Sequence, residues 1–171
     1  MFKDTKLNTF DVVEINVTDK GLDFMTNSYL SNSKDILTEF YCNLPNMTDT
    51  DNMFKNYTAL RYFESYMPNV TTSQYMFEGC SNLFNVDISN SQNLIKCYYM
   101  FNSCQALNEN YLHLANTSAI ENGVAMFSGT GITTNFFGEN PKMTFPNLCS
   151  AKRMFQNSKN ISGSLHIDFT K

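Results

Sequence analysis

The sequence has no basic run and no long apolar run, and these two absences narrow the classes of partner. Its 171 residues carry a formal net charge of -4, from 12 lysines and arginines against 16 aspartates and glutamates. Proteins that bind nucleic acid use clustered positive charge against the phosphate backbone, so we expect no direct nucleic-acid binding. No apolar run approaches the roughly 20 residues of a membrane-spanning helix, so we also expect no membrane span.

The first ten residues are polar and contain no apolar run of the length found in signal peptides. We therefore expect the chain as written to lie in the cytoplasm or in a virion. A surface location is expected instead if the chain is a piece of a longer exported protein.

Closely spaced cysteine pairs are missing, although zinc sites usually contain cysteines about two to four residues apart. An odd number of cysteines without a secretion signal fits reduced, buried thiols better than a disulfide framework. The two histidines would lie two repeats apart, too far for a shared zinc ion. We therefore predict no metal and no cofactor. The cysteines are Cys42, Cys80, Cys97, Cys104 and Cys149.

Sequence motifs of catalysis are absent as well. The chain contains no Gly-x-Ser-x-Gly, no Gly-rich phosphate-binding loop and no closely spaced carboxylate pair in an apolar setting. Cys149 follows the apolar Leu148 but matches no nucleophile motif. We therefore predict no catalytic residues, and an enzyme is the least favoured hypothesis.

What the sequence does contain is five Met-Phe pairs, spaced by 23, 24, 26 and 28 residues. An apolar residue or methionine precedes each pair by six positions. Such a period is typical of stacked repeats, so we predict one solenoid domain, 1–171, in which the pairs form a continuous row. The pairs are Met53-Phe54, Met76-Phe77, Met100-Phe101, Met126-Phe127 and Met154-Phe155.

Each Met-Phe pair lies in a segment with helical spacing. Val70, Ser73, Phe77 and Cys80 are separated by three, four and three residues, with Met76 between them, which places them on one side of a helix. An asparagine in the position of an N-cap precedes four of the segments. We therefore predict a short helix in each repeat. The asparagines are Asn46, Asn69, Asn93 and Asn147.

A short segment with one polar residue between apolar residues follows each predicted helix, as in a strand with one buried face. Repeated in one direction, these units predict an α/β, leucine-rich-repeat-like solenoid: a parallel ladder of about six short strands, with helices on the other face. The expected strand segments are Val86-Asp87-Ile88, Leu112-His113-Leu114 and Leu165-His166-Ile167, with weaker ones at Phe40 and at Phe63-Glu64-Ser65.

Residues 1–36 are predicted to form an N-terminal cap and a degenerate repeat, 37–158 the repeats, and 159–171 a C-terminal capping strand. In the cap, Val13, Ile15 and Val17 alternate with polar residues. This alternation predicts a half-buried strand with the three side chains on the core.

The repeat resembles the BspA-like leucine-rich-repeat family of bacterial surface proteins. The residues that carry the resemblance are Met76-Phe77-Glu78-Gly79-Cys80-Ser81-Asn82-Leu83 and Met100-Phe101-Asn102-Ser103-Cys104-Gln105-Ala106-Leu107. The resemblance covers roughly residues 37–167. It implies a solenoid that binds other proteins, commonly in adhesion.

The central polar residues of the predicted strands are expected to form a column on the open face of the sheet. Solenoids bind partners on such extended faces, and tyrosine, histidine and carboxylates with little lysine suit protein recognition. We predict that this column and its neighbours contact the partner, the alternative being ordinary solvated strand residues. The column is Glu64, Asp87, His113 and His166, and its neighbours are Asn85, Tyr111 and Ser164.

The fourth repeat is the longest and contains an insertion at 136–142. Insertions in solenoids form loops on one face, and such faces often bind. We name Phe136, Phe137 and Glu139 as further candidate binding residues, the alternative being a loop that packs its phenylalanines on the core.

These observations predict a non-enzymatic module that binds another protein through the sheet face or the 136–142 loop. One version is adhesion, as part of a bacterial or phage surface protein. The other is a small cytoplasmic inhibitor from a mobile element, such as an anti-defence or anti-CRISPR-type protein that blocks a host enzyme.

Overall fold

The computed structural model describes residues 7–16, 21, 25, 32–114, 117–133 and 145–162. Five strands lie in one parallel sheet in chain order, and the buried side chains form one continuous core. Each repeat is one coil of a β-solenoid. The strands are β1 (Thr9–Glu14), β2 (Glu39–Asn43), β3 (Tyr62–Glu64), β4 (Asn85–Ile88) and β5 (Leu112–Leu114).

A second parallel ladder runs along another side of the solenoid. Asp49, Thr72, Lys96, Asn122 and Ser150 each bridge the next in turn. Because one residue of every coil enters this ladder, hydrogen bonds hold neighbouring coils together on two sides. Apart from two short 3₁₀ turns, Glu109–Tyr111 and Thr117–Ala119, only Gly21 and Met25 among the described residues are helical. No helix in that part of the chain could span a membrane.

The prediction of a short helix in each repeat is wrong. The N–H of Met53 donates to the oxygen of Thr50 at 3.2 Å, whereas the N–H of Phe54 donates to Met76 of the next coil at 2.8 Å. The same pattern, in which the N–H of Met bonds within its own coil and the N–H of Phe bonds to the next coil, recurs at each described contact between coils around the Met-Phe pairs. An α-helix is about 10 Å wide and cannot stack at the strand spacing of roughly 4.8 Å. A series of turns with bonds to the next coil can do so.

Two positions in each coil adopt left-handed backbone conformations, with φ between 50° and 76°. They are the residue before each Met and the residue three after it. Turns that place positive φ at their third residue bend the chain sharply without helical hydrogen bonds. The first set is Asn52, Tyr75, Tyr99, Ala125 and Arg153, and the second is Asn56, Gly79, Ser103, Gly129 and Asn157.

The predicted row of Met-Phe pairs is confirmed. The five phenylalanines stack along the solenoid with ring centroids 5.5–5.9 Å apart and ring planes 5–14° apart. A second stack joins Phe10, Phe40 and Phe63 at 5.2 Å per step. The core is therefore built from two rows of rings that meet edge to face, as Phe63 and Phe77 do at 4.9 Å.

The asparagines that were predicted to cap helices instead join neighbouring coils. The side-chain amide of Asn69 donates to the oxygen of Pro45 at 2.8 Å. Asn93 donates to Pro68 at the same distance. The turns leave these proline carbonyls without a bond from any described backbone N–H. The side-chain amide of asparagine supplies the missing N–H from the next coil.

The strand predictions are partly confirmed. β4 and β5 contain the expected segments, and β2 and β3 contain Phe40 and Phe63. Five strands are described instead of about six, and the predicted sixth, at residues 165–167, lies outside the described residues. In β1, Val13 is 85% exposed instead of buried. The register with β2 shifts between Val12 and Glu14, so the bulge turns Val13 outward.

Candidate functional site

The outer side of the sheet carries one polar or charged residue from every strand in a single column. The strand register pairs Asp11 with Tyr41, Tyr41 with Glu64, Glu64 with Asp87, and Asp87 with His113. The buried residue before each of the last four is Phe40, Phe63, Val86 or Leu112. These core side chains fix the orientation of the column, because successive strand residues point to opposite faces. We call this surface the outer face.

Large apolar side chains are exposed on the same face. Among the described residues, four large hydrophobic side chains are exposed, and Val13, Tyr66 and Tyr111 are three of them, at 85%, 42% and 42%. Val13 lies in the β1 bulge, Tyr66 follows β3 and Tyr111 precedes β5. The backbone N–H of Tyr66 donates to the side-chain oxygen of Asn43 at 3.1 Å, which fixes the residue beside the column.

Two shallow depressions lie on either side of Glu64. The first, of about 180 Å³, is lined by Asp11, Tyr41 and Glu64 among others. The second, of about 100 Å³, is lined by Glu64, Tyr66 and Asp87 together with Ser89 and Asn90. Each depression therefore combines two carboxylates with one tyrosine, and Glu64 belongs to both.

The electrostatics of the outer face are dominated by negative charge. Partial burial raises the pKa of Tyr41, and the carboxylates of Glu39, Glu64 and Asp11 raise it further. Glu64 lies directly opposite Asp87 in the register, an arrangement of like charges that destabilises a sheet. The face is therefore suited to a ligand that brings positive charge.

An aromatic strip borders the column. Tyr111 packs on Phe84 with ring centroids 4.3 Å apart, and Phe84 meets Tyr62 edge to face at 6.4 Å. The guanidinium of Arg61 lies 5.7 Å from the centre of the Tyr62 ring. Rigid, partly exposed rings of this kind are common in protein interfaces.

Glu64, Asp87 and His113 occupy consecutive strands at matching positions, in the alignment that was predicted, and their role in binding stays a prediction. Asn85 pairs with Tyr62, and Tyr111 directly precedes β5, so both lie beside the column as predicted. The predictions for Ser164, His166, Phe136, Phe137 and Glu139 fall outside the described residues. What these residues contact stays a prediction.

Sequence reasoning missed Asp11 and Tyr41, which extend the column into β1 and β2. A signal for Tyr41 was present, because it follows Phe40 as Glu64 follows Phe63. The strand of Asp11 was placed too late in the chain, at Val13 to Val17, and this error hid the match between Phe10-Asp11 and Phe40-Tyr41.

The prediction of reduced, buried thiols is confirmed for four of the five cysteines, whereas Cys149 is exposed. Cys80 and Cys104 occupy equivalent positions in neighbouring coils, and each donates to the carbonyl of a core phenylalanine, at 3.0 and 3.1 Å. Burial raises the pKa of Cys80 to about 12. Within the described ranges all five cysteines are free. No group of three or more histidine, cysteine or acidic side chains there is arranged to hold a metal ion.

No curated protein and no solved structure matches the chain. A family model described as "Mycoplasma protein of unknown function, DUF285" matches residues 48–167, which is more than two thirds of the chain and includes every Met-Phe pair. This match does not confirm the narrower resemblance to BspA-like leucine-rich repeats. The chain belongs to the DUF285 family of Mycoplasma proteins of unknown function.

Proposed function

We propose that the chain is a non-enzymatic protein-interaction module that binds a protein partner through its outer face. The observation that carries the proposal is that Val13, Tyr66 and Tyr111, three of the four large exposed hydrophobic side chains among the described residues, lie on the face that also carries the carboxylate column. Single exposed apolar residues are ordinary on a protein surface. Several on one face favour an interaction site.

The chemistry of the face supports a protein partner in particular. Tyrosine supplies a large contact area at a small entropic cost and is enriched at interface centres. The sheet backbone is held by hydrogen bonds on both sides of each inner strand, so the side chains are presented on a rigid surface. A preorganised surface loses little entropy on binding.

Adhesion, on a cell or virus particle, is the version of this function that we favour, because solenoid repeats of this kind resemble those of surface proteins. An intracellular inhibitor would use the same face against an enzyme. The identity of the partner separates the two: an exposed surface component supports adhesion, and an enzyme whose activity falls in proportion to bound protein supports inhibition.

The proposal is tested by site-specific photo-cross-linking followed by affinity measurement. A photoreactive phenylalanine analogue replaces Val13 or Tyr66, and the control carries it at Lys152, an exposed residue of the last described coil outside the sheet. We expect a partner to cross-link from the two face positions and not from Lys152.

The affinity of the isolated partner is then measured for alanine variants of the face. Y66A and Y111A should each weaken binding by about tenfold, which is the loss typical of an interface residue that matters. Cross-linking with equal efficiency from Lys152, or unchanged affinity for both alanine variants, would remove the outer face as the binding site.

A further inference from the structure

We propose that the outer face recognises a basic, extended segment of the partner, in which two lysine or arginine side chains separated by one residue enter the two depressions beside Glu64. This inference rests on the proposed function and specifies the chemistry of the partner at that face. The two depressions, the unpaired carboxylates and the spacing between the depressions support it independently.

The two depressions have the same chemical composition. Asp11 and Glu64 flank Tyr41 in the first, and Glu64 and Asp87 accompany Tyr66 in the second. A guanidinium or ammonium group gains charge-assisted hydrogen bonds from carboxylates and a cation–π contact from an aromatic ring. Each depression therefore provides both kinds of contact to one basic side chain.

Among the described residues, none forms an ion pair with these carboxylates. Within the described part of the chain the ion pair is Lys55 with Glu78, at 2.6 Å, and these residues lie in the turn segments away from the sheet. The side chain of Asp87 accepts a hydrogen bond from the N–H of Ser89 at 2.9 Å, which orients the carboxylate without cancelling its charge. The negative charge is thus preoriented for a cation supplied from outside.

The spacing of the depressions fits an extended chain. The first is formed by residues of β1, β2 and β3, and the second by Asn43 of β2, by residues of β3 and β4 and by those that follow these two strands. The second therefore lies about one strand spacing from the first across the sheet and further along the strands, which puts their centres roughly 5–10 Å apart. Alternate side chains of an extended segment point to the same side about 7 Å apart, which matches this separation.

The test is fluorescence anisotropy with the full chain and a labelled peptide. The peptide consists of serine, threonine and glycine with two arginines separated by one residue. Two control peptides of the same length are used: one replaces both arginines with glutamine, and the other keeps two arginines but separates them by four residues. We expect the first peptide to bind at least about tenfold more tightly than either control.

Protein variants identify the site. E64Q removes the carboxylate common to both depressions and should weaken binding by about tenfold or more, whereas D11N and D87N, which each affect one depression, should weaken it less. The matched control is E121Q, which removes the same charge from an exposed residue beside the second ladder and should change affinity less than about twofold. Binding should weaken as salt rises.

Equal binding of the arginine and glutamine peptides, or equal effects of E64Q and E121Q, would overturn the inference. If the peptides with one and with four residues between the arginines bind with equal affinity, the two depressions do not hold alternate side chains of one extended segment. These failures are distinct from failure of the proposed function. If a partner cross-links at Val13 and Tyr66 but binds E64Q with normal affinity, the outer face remains the binding site and the basic segment is ruled out.

Discussion

Phe54 and Phe77 stack with their ring centroids 5.9 Å apart and their planes 14° apart. They occupy equivalent positions in neighbouring coils, and the row continues to Phe101, Phe127 and Phe155. An inner ring of the row contacts a ring on each of its two faces. The energetic value of a ring therefore depends on its position in the row as well as on its own burial.

Replacement of Phe77 by alanine is expected to lower the free energy of unfolding by about 3–5 kcal/mol, the usual cost of deleting a buried phenylalanine. Phe77 is completely buried and contacts Phe54, Phe63 and Phe101. The matched variant F155A removes a half-buried ring from the last described coil and should lose less than about 2 kcal/mol. Urea denaturation followed by circular dichroism measures both, and equal losses would contradict the stacked core.

Glycine at a left-handed position should stabilise the protein. Ser103 has φ of 63°, a conformation that costs a residue with a Cβ about 1 kcal/mol, and S103G removes that cost. S128G makes the same chemical change at a buried residue that is not among those with positive φ. This variant should destabilise the protein by about 0.5–1 kcal/mol, as glycine does at ordinary positions.

The measurement is the urea midpoint of each serine variant relative to wild type. Opposite signs are expected for S103G and S128G. A loss of stability in both would show that the backbone at Ser103 is not under the strain that its φ angle implies.

Alkaline pH should destabilise the folded chain through its buried thiols. The pKa of Cys80 is raised to about 12 from an ordinary value of 9.0 by burial. Only the unfolded state then loses the thiol proton between these two values. The stabilising contribution is therefore complete below about pH 9 and is lost as pH rises toward 12, by about 1.4 kcal/mol at one unit above the unfolded pKa.

The variant C80S lacks this thiol and should lose less stability between pH 7 and pH 10 than wild type, by about 1.4 kcal/mol. Serine suits the site, because Ser158 at the same position of the last described coil donates to the carbonyl of Phe127 at 2.7 Å. C149S, which changes an exposed thiol, is measured alongside as the control for the substitution itself. If C80S and wild type lose the same stability between pH 7 and pH 10, burial does not raise the pKa of Cys80 as described.

Charge removal at Glu64 should stabilise the fold while it weakens the proposed binding. Glu64 faces Asp87 across the β3–β4 pair, and relief of this repulsion in E64Q is expected to add about 0.2–1 kcal/mol to the free energy of unfolding. The gain should vanish in 1 M salt, where charges are screened within about 3 Å. E121Q serves as the control, and a larger gain there would argue against repulsion within the column.

Much of the architecture could be predicted because burial imposes a strict pattern on stacked coils. The Met-Phe row and the strands at Val86–Ile88 and Leu112–Leu114 follow from apolar residues that recur at fixed positions. The same burial fixes which side of β3, β4 and β5 faces outward, so the column of Glu64, Asp87 and His113 could be predicted as well.

The helices were predicted wrongly because consecutive turns can bury residues at steps of three and four just as a helix does. A signal against the helix was present three residues after each Met. That position holds Asn56, Gly79, Ser103, Gly129 and Asn157. Glycine and asparagine tolerate positive φ better than other residues, so this column indicates a repeated left-handed turn.

The left-handed pairs also bear on how such genes change length. Between the two positions with positive φ, every second backbone N–H donates to the neighbouring coil, and the others donate within their own coil. Loss or gain of one residue there would exchange these two sets of N–H groups. The repeats differ in length by five residues from shortest to longest, yet the interval from the residue before Met to the residue three after it is constant in all of them. Insertions and deletions are thus expected to survive in the corners between the two ladders and to be eliminated around the Met-Phe pairs.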